Sequence, residues 1–480
     1  GEAAIDWMMR LDSGSAGVAD RHIRWGHAQP AAQWRIAAGQ RSDDGLAGRP
    51  DGYRTNYLDL RAEFQPSSTQ EWSITSGITR GRLGTGFEGR ADDPVRTEVA
   101  ESASFQARYR QTVDAGQEWS LTVSSTQDSG DDSFEIPLLG NELLHIDGRR
   151  RANRYALDYQ HFKDFSPQWR ASWGLGYRHD SVTSAQLFNT SSPQTNRSSS
   201  AYLNAEWKPS THWTLNLGSL IERDSYAPAQ WAPRLAINWK PASQHTLKLG
   251  YSSAFRTPSL FEQRADWRIV SGGKTLDIRY LSSGGLLPER VDAWDLVYLG
   301  QWHGQGLTLD ARLFQEKLSR IVTGRLVRLP EATANIPNAT AYDLRNNASA
   351  VNRGMEYQLS WRPARGTIIS WNQYFARPQA SPAVIAQTIA RRSTGLLVSH
   401  AWPRGWTTGL GYTSMSSLRW LGEPTQVGAQ RFASLRVARS LRVNGSHVHV
   451  AVRWFQPLGQ SDEFPGCPGV RAHPGHVPFC

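Results

Sequence analysis

The chain has 480 residues, 39% of them hydrophobic and 20% charged, with a net charge of +10 and a pI near 9.7. A mean hydropathy of -0.52, with no window near the roughly 20 consecutive apolar residues that a spanning helix needs, excludes a bundle of membrane helices. Its 20 Trp, 15 Tyr and 15 Phe bury too much surface for a disordered chain.

Along the chain, apolar and polar residues alternate with a period of two. Trp119, Leu121 and Val123 enclose Ser120 and Thr122, and further on Trp213, Leu215 and Leu217 alternate with Thr214, Asn216 and Gly218. Leu247, Leu249 and Tyr251 flank Lys248 and Gly250, and near the end Val448, Val450, Val452 and Trp454 alternate with His447, His449, Ala451 and Arg453. On a strand, each such set occupies one face. A soluble sandwich alternates in the same way, so the connections have to decide.

Short links recur at 28–32, 65–70, 111–117, 163–167, 208–211, 240–244, 302–306, 362–366, 402–405 and 441–446, many with Pro or Gly. Between them fall polar and usually longer loops near 13–17, 42–52, 81–96, 129–149, 182–196, 224–229, 257–287, 324–348, 379–389 and 418–425. Short turns on one rim and long loops on the other mark an all-β chain as a transmembrane antiparallel β-barrel. About 21 strands are visible, from 2–12 to 446–456, where an even number, 22, is expected. Trp72, Trp119, Trp169, Trp207, Trp213, Trp239, Trp302, Trp361, Trp402 and Trp406 all lie near the short turns, as an aromatic girdle requires.

The only cysteines are Cys467 and Cys480, which suits an oxidising envelope compartment. Six of the 53 basic residues are Lys and the rest are Arg, dispersed instead of gathered in a stripe, which argues against a nucleic-acid partner.

Four segments resemble a known family. Ser253-Ala254-Phe255-Arg256-Thr257-Pro258-Ser259-Leu260-Phe261-Glu262 resembles the segment leading into the long seventh loop of TonB-dependent outer-membrane receptors. Leu287-Pro288-Glu289-Arg290 resembles the close of that loop, and Leu313-Phe314 with Ile321 resembles the strand after it. Arg353-Gly354-Met355-Glu356 with Trp361 is similar to a further strand of the same family. The resemblance implies a monomeric receptor in the outer membrane of a Gram-negative bacterium, in contact with lipid and lipopolysaccharide. It implies active uptake of a scarce small molecule such as an iron chelate.

Two departures accompany the resemblance. The family carries an N-terminal plug that meets the energy protein TonB, whereas this sequence opens at the first barrel strand, so TonB would be reached only through a plug outside it. The likeness covers 1–456, while 457–480 holds Pro457, Pro465, Pro468, Pro474 and Pro478 and reads as an aberrant tail in place of a closing strand. A passive porin-like channel and a non-functional receptor fragment are the alternatives.

Ligand contact is expected from the two longest loops, through Arg264, Trp267, Arg268, Lys274, Tyr280, Arg325, Arg328, Tyr342 and Arg345. Pro258 and Glu289 read as residues that shape the loop. Asp128, Asp131, Asp132 and Glu135 lack the spacing of a calcium loop and read as a solvated loop. Arg149, Arg150 and Arg151 fit either lipopolysaccharide phosphates or plain solubility. Cys467, His473, His476 and Cys480 match no zinc pattern. No nucleophile elbow, metalloprotease helix or phosphate-cradling loop occurs, so no metal, cofactor or catalytic residue is expected.

Overall fold

The computed structural model describes residues 7–46, 48–91, 93–137, 143–330, 339–419, 426–443 and 446–459. Within them, twenty-one strands meander from Trp7–Ser13 to Ser446–Pro457, each hydrogen-bonded antiparallel to the next. The main sheet has 23 strands because a loop hairpin, Asp266–Ser271 and Lys274–Leu281, joins it through one parallel bridge between Tyr280 and Tyr342. As far as the described residues go, each expected short link joins consecutive strands on one rim, and the expected loops lie on the other. The longest strands, Leu307–Arg328 and Thr340–Trp361, run up into the expected 324–348 loop, so most of that loop is a paired ribbon.

The two faces of the sheet are chemically opposite. Across six strands, Ile237, Leu249, Leu296, Leu313, Met355 and Phe375 form one continuous outward row. Leu249, Leu296 and Leu313 are 48%, 46% and 54% exposed, an apolar surface suited to lipid. One residue along, the lumen face pairs Lys248 with Asp295 at 3.6 Å and Arg312 with Glu356 at 3.1 Å. Leu249→Arg should therefore destabilise the membrane-inserted barrel by about 2–4 kcal/mol, while Lys248→Gln should cost about 1 kcal/mol or less. Urea unfolding in lipid vesicles separates the two, and equal costs would show that the faces are misassigned.

At the short-turn rim the aromatics form the expected girdle. Trp72 meets Tyr109 with ring centroids 4.8 Å apart, Trp169 stacks on Trp207 at 5.3 Å, and Trp213 stacks on Trp239 at 5.9 Å. Gly354 serves a packing purpose: a Cβ there would meet the Phe375 carbonyl at 2.1 Å and the Phe314 ring at 2.8 Å. Its absence lets Phe314 stack on Tyr374 at 5.9 Å. Two clusters of buried apolar side chains lie near the outer loops, one around Ile278 and Ala341 and another around Ala348, Ala350 and Ile385.

Among the described residues, Trp7–Ser13 pairs only with Ala19–Gln29, and Ser446–Pro457 pairs only with Gln430–Val443. Over the described residues, the sheet thus carries two edges. The tail beyond 459, with Cys467, His473, His476 and Cys480, lies outside the described residues.

Candidate ligand site at the outer loops

The loop after His245–Arg256 starts with a five-residue helix, Leu260–Arg264. Ser259 caps it: its Oγ accepts from the Glu262 N–H at 3.2 Å, and the Glu262 carboxylate accepts from the Ser259 N–H at 2.7 Å. Arg256 grips the same carboxylate with both terminal nitrogens at 2.9 Å and donates through Nε to Glu289 at 2.6 Å. The second oxygen of Glu289 accepts from the Val322 N–H at 2.6 Å, on the neighbouring strand. One arginine and two carboxylates thus tie the start of the loop, its end and the next strand together. The loop-shaping role expected of Glu289 matches this geometry, and Pro258 beside the cap is buried.

Burial pushes the Glu262 carboxyl up, but the hydrogen bonds from Arg256 and Ser259 outweigh burial and hold it below the ordinary carboxylate range. A lowered folded-state pKa stabilises the loop above the ordinary value of about 4.3, and that contribution is lost as pH falls through the folded value. Acidification from pH 6 to pH 3 should therefore loosen the Leu260–Arg264 helix before the sheet unfolds. Amide exchange of 260–264 across that range tests this, and a pH-independent rate would remove Glu262 from the clamp.

The rest of the loop folds back on the helix. Gln263 is buried and exchanges hydrogen bonds with the Leu286 backbone, donating to its carbonyl at 2.9 Å and accepting from its N–H at 3.2 Å. Gly272 and Gly273, with φ of +53° and +76°, turn the hairpin at a conformation that L side chains resist. The 307–361 ribbon supplies the other wall. Asp343, 1% exposed, accepts from the Ser283 N–H at 3.0 Å, the Ser283 Oγ at 2.9 Å and Arg345 Nε at 2.6 Å. Asn346 joins the two loops again, accepting from the Leu287 N–H at 2.8 Å and donating to the Leu287 and Arg320 carbonyls.

Between these walls lies a row of rings. Tyr280 is the hub, 5.2 Å from Phe261, stacked on Trp267 at 5.9 Å and 5.8 Å from Tyr342. Of the nine residues expected to meet ligand, Trp267, Tyr280 and Tyr342 come together here. The cations are spread around them. Arg264 lies 5.7 Å over the Tyr226 ring, Arg268 donates to Asp266 at 2.6 Å, and Arg345 is held by Asp343. Lys274 opens the second strand of the hairpin, next to its glycine turn. Arg325 and Arg328 are exposed on the ribbon strand Leu307–Arg328, and not on an irregular loop.

Sequence reasoning missed the residues that join the two loops, Ser283, Asp343 and Asn346. It also missed a lumen recess of about 680 Å³ under the loop, lined in part by Arg178, Tyr202, Glu222, Arg234 and Ser252. Pairing across 60 residues leaves no local signal, and recess walls are ordinary lumen-facing strand positions. Two of the acidic run are engaged structurally: Asp132 pairs with Arg96 at 2.7 Å, and Asp131 accepts from the Ser133 N–H and Oγ, while Asp128 and Glu135 are exposed on the strands Gln117–Asp131 and Phe134–Pro137.

A many-stranded antiparallel sheet with an apolar outer face, a charged lumen and loops tied together at one rim defines an outer-membrane receptor barrel. A family profile described as "TonB dependent receptor-like, beta-barrel" matches residues 24–453, and the chain belongs to that family, which places it in the outer membrane of a Gram-negative bacterium. The iron-regulated outer membrane virulence protein of Vibrio cholerae is 30% identical over 156 residues, 31% of this chain and 23% of that protein. The matched stretch is thus about a quarter of that relative's length. The ferric enterobactin receptor of Pseudomonas aeruginosa has a similar fold, with a TM-score of 0.71 at 14% identity over 90% of this chain and 71% of that one. The siderophore receptor PirA of Acinetobacter baumannii gives 0.69 at 12% identity, over 90% and 73% of the two chains. The FrpB iron transporter of Neisseria meningitidis gives 0.69 at 11% identity, over 91% and 74%.

Proposed function

We propose that this chain is the barrel of a receptor for TonB-dependent active uptake of a scarce nutrient, an iron chelate. The observation that carries the reading is the aromatic row Phe261, Trp267, Tyr280 and Tyr342, walled by two cross-tied loops that also carry Arg264, Arg268 and Arg345. Stacked rings offer flat apolar surface to a ring-bearing chelator, and guanidinium groups match its anionic oxygens. The relatives' names, an iron-regulated outer membrane protein and a siderophore receptor, support the substrate class.

Ferric catecholate and ferric hydroxamate chelates are the probes, with affinity read from the quenching of tryptophan fluorescence in the receptor carrying its plug. Deletion of 257–287 or 324–348 should abolish measurable binding and leave the barrel folded. Tyr280→Ala should weaken binding by at least about tenfold, as expected for a central aromatic anchor. Unchanged affinity after both deletions refutes the site.

A further inference from the structure

The outward face of four neighbouring strands, Ala19–Gln29, Ala32–Asp43, Tyr53–Ser67 and Gln70–Thr85, changes character within one step of the register. Ile23, Ala38, Leu58 and Ile78 lie opposite one another as one rung, with Ile23, Leu58 and Ile78 54%, 44% and 54% exposed. Two residues nearer the loop rim, the same face carries Arg21, Gln40, Asn56 and Arg80 as the next rung. Beyond that rung, Arg54 and Arg82 stand directly opposite each other.

All four arginines are exposed. Glu101 reaches Arg80 at 3.1 Å, while among the described residues no carboxylate pairs with Arg21, Arg54 or Arg82. Like charges directly opposite on adjacent strands repel. The repulsion is relieved by an anion seated between them, and guanidinium groups take phosphate oxygens two at a time. Gln40 and Asn56, hydrogen-bonded to each other at 2.8 Å, add amide groups to the same rung.

The level of the patch selects the anion. It begins where the lipid-facing apolar band ends on the loop rim, which is the headgroup level of the outer leaflet. We propose that Arg21, Arg54, Arg80 and Arg82 form a docking surface for the phosphorylated headgroup of an outer-leaflet glycolipid, with a phosphate between Arg54 and Arg82. At Arg149, Arg150 and Arg151 two of the three guanidinium groups are paired, Arg149 with Asp147 at 2.7 Å and Arg150 with Glu98, whereas in the patch only Arg80 is, among the described residues.

The probe is bis-phosphorylated lipid A beside its dephosphorylated form, titrated into the detergent-solubilised protein and read by native mass spectrometry. The protein should retain the phosphorylated form at least about tenfold more tightly, since each basic residue at such a surface contributes about fivefold. Arg54→Gln with Arg82→Gln should erase the preference, Arg54→Lys with Arg82→Lys should keep most of it, and salt should weaken it. If the Gln pair does not fold, the Lys pair and the salt dependence of the unmodified protein carry the test. Equal retention of both lipids, an unaltered preference in a folded Gln pair, or complete displacement by equimolar inorganic phosphate would overturn the proposal.

Discussion

Glu289→Ala should free the 257–288 loop from the barrel rim and leave the sheet standing. In the native loop, Glu289 accepts from Arg256 Nε at 2.6 Å and from the Val322 N–H at 2.6 Å, so one carboxylate joins three elements. Alanine leaves Arg256 with Glu262 alone and the Val322 N–H without its acceptor. An unsatisfied half-buried donor costs about 1–3 kcal/mol. The lost ion pair adds little, because the Arg256 side chain is 49% exposed and solvent screens it. A local cost of that size speeds amide exchange by about tenfold to a hundredfold at 259–264 and 320–322, with strand amides elsewhere unchanged. Glu289→Gln keeps an acceptor and should show a smaller effect. An unaltered exchange pattern in Glu289→Ala would mean that backbone contacts, such as Ser282 to the Ala265 carbonyl at 2.8 Å, hold the loop alone.

Replacing 457–480 with an alternating apolar and polar strand that ends in Phe should raise the folded yield in membranes several-fold. Ser446–Pro457 has a single strand partner among the described residues and is exposed almost throughout, with Val450, Val452 and Trp454 at 56%, 70% and 52%. Among the described residues, its second edge and that of Trp7–Ser13 have no strand partner, and backbone donors and acceptors left unpaired in lipid cost several kcal/mol each. Five prolines between 457 and 478 remove donors from the natural tail. A designed strand supplies them. Heat-modifiable mobility of the outer-membrane fraction reads the folded yield, and equal yields would show that the natural tail already covers the edges.

Much of this architecture was legible in the residues because a barrel writes its geometry locally. Each strand needs a period of two, so Trp213, Leu215 and Leu217 announce both a strand and its lipid face. Each short turn needs a compact link, so the ten links and ten loops could be placed in order. Glu289 was readable as a loop-shaping residue because it closes the long loop and no candidate nucleophile or base accompanies it. The ribbon above the membrane was not legible: once a strand leaves the bilayer, it has no lipid face to demand apolar residues, so Arg325, Arg328 and Arg345 read as loop. The meeting of Tyr280 with Tyr342 depends on how the loop hairpin docks on the ribbon, and the pairing of Arg54 with Arg82 on the register that the 65–70 turn imposes, neither of which alternation alone reveals. The lipid-facing arginine patch was missed for that reason, although each of its residues sits in an ordinary alternating strand.

The most direct measurement is uptake of a radiolabelled ferric chelate by cells producing the receptor with its plug, with and without a protonophore. A receptor of this kind takes up ligand saturably, loses uptake when the proton gradient collapses or TonB is deleted, and loses it again with Tyr280→Ala. Uptake that rises linearly with concentration and ignores the protonophore would identify a passive pore. No uptake of any chelate above background by a correctly folded barrel would contradict the assignment of iron transport.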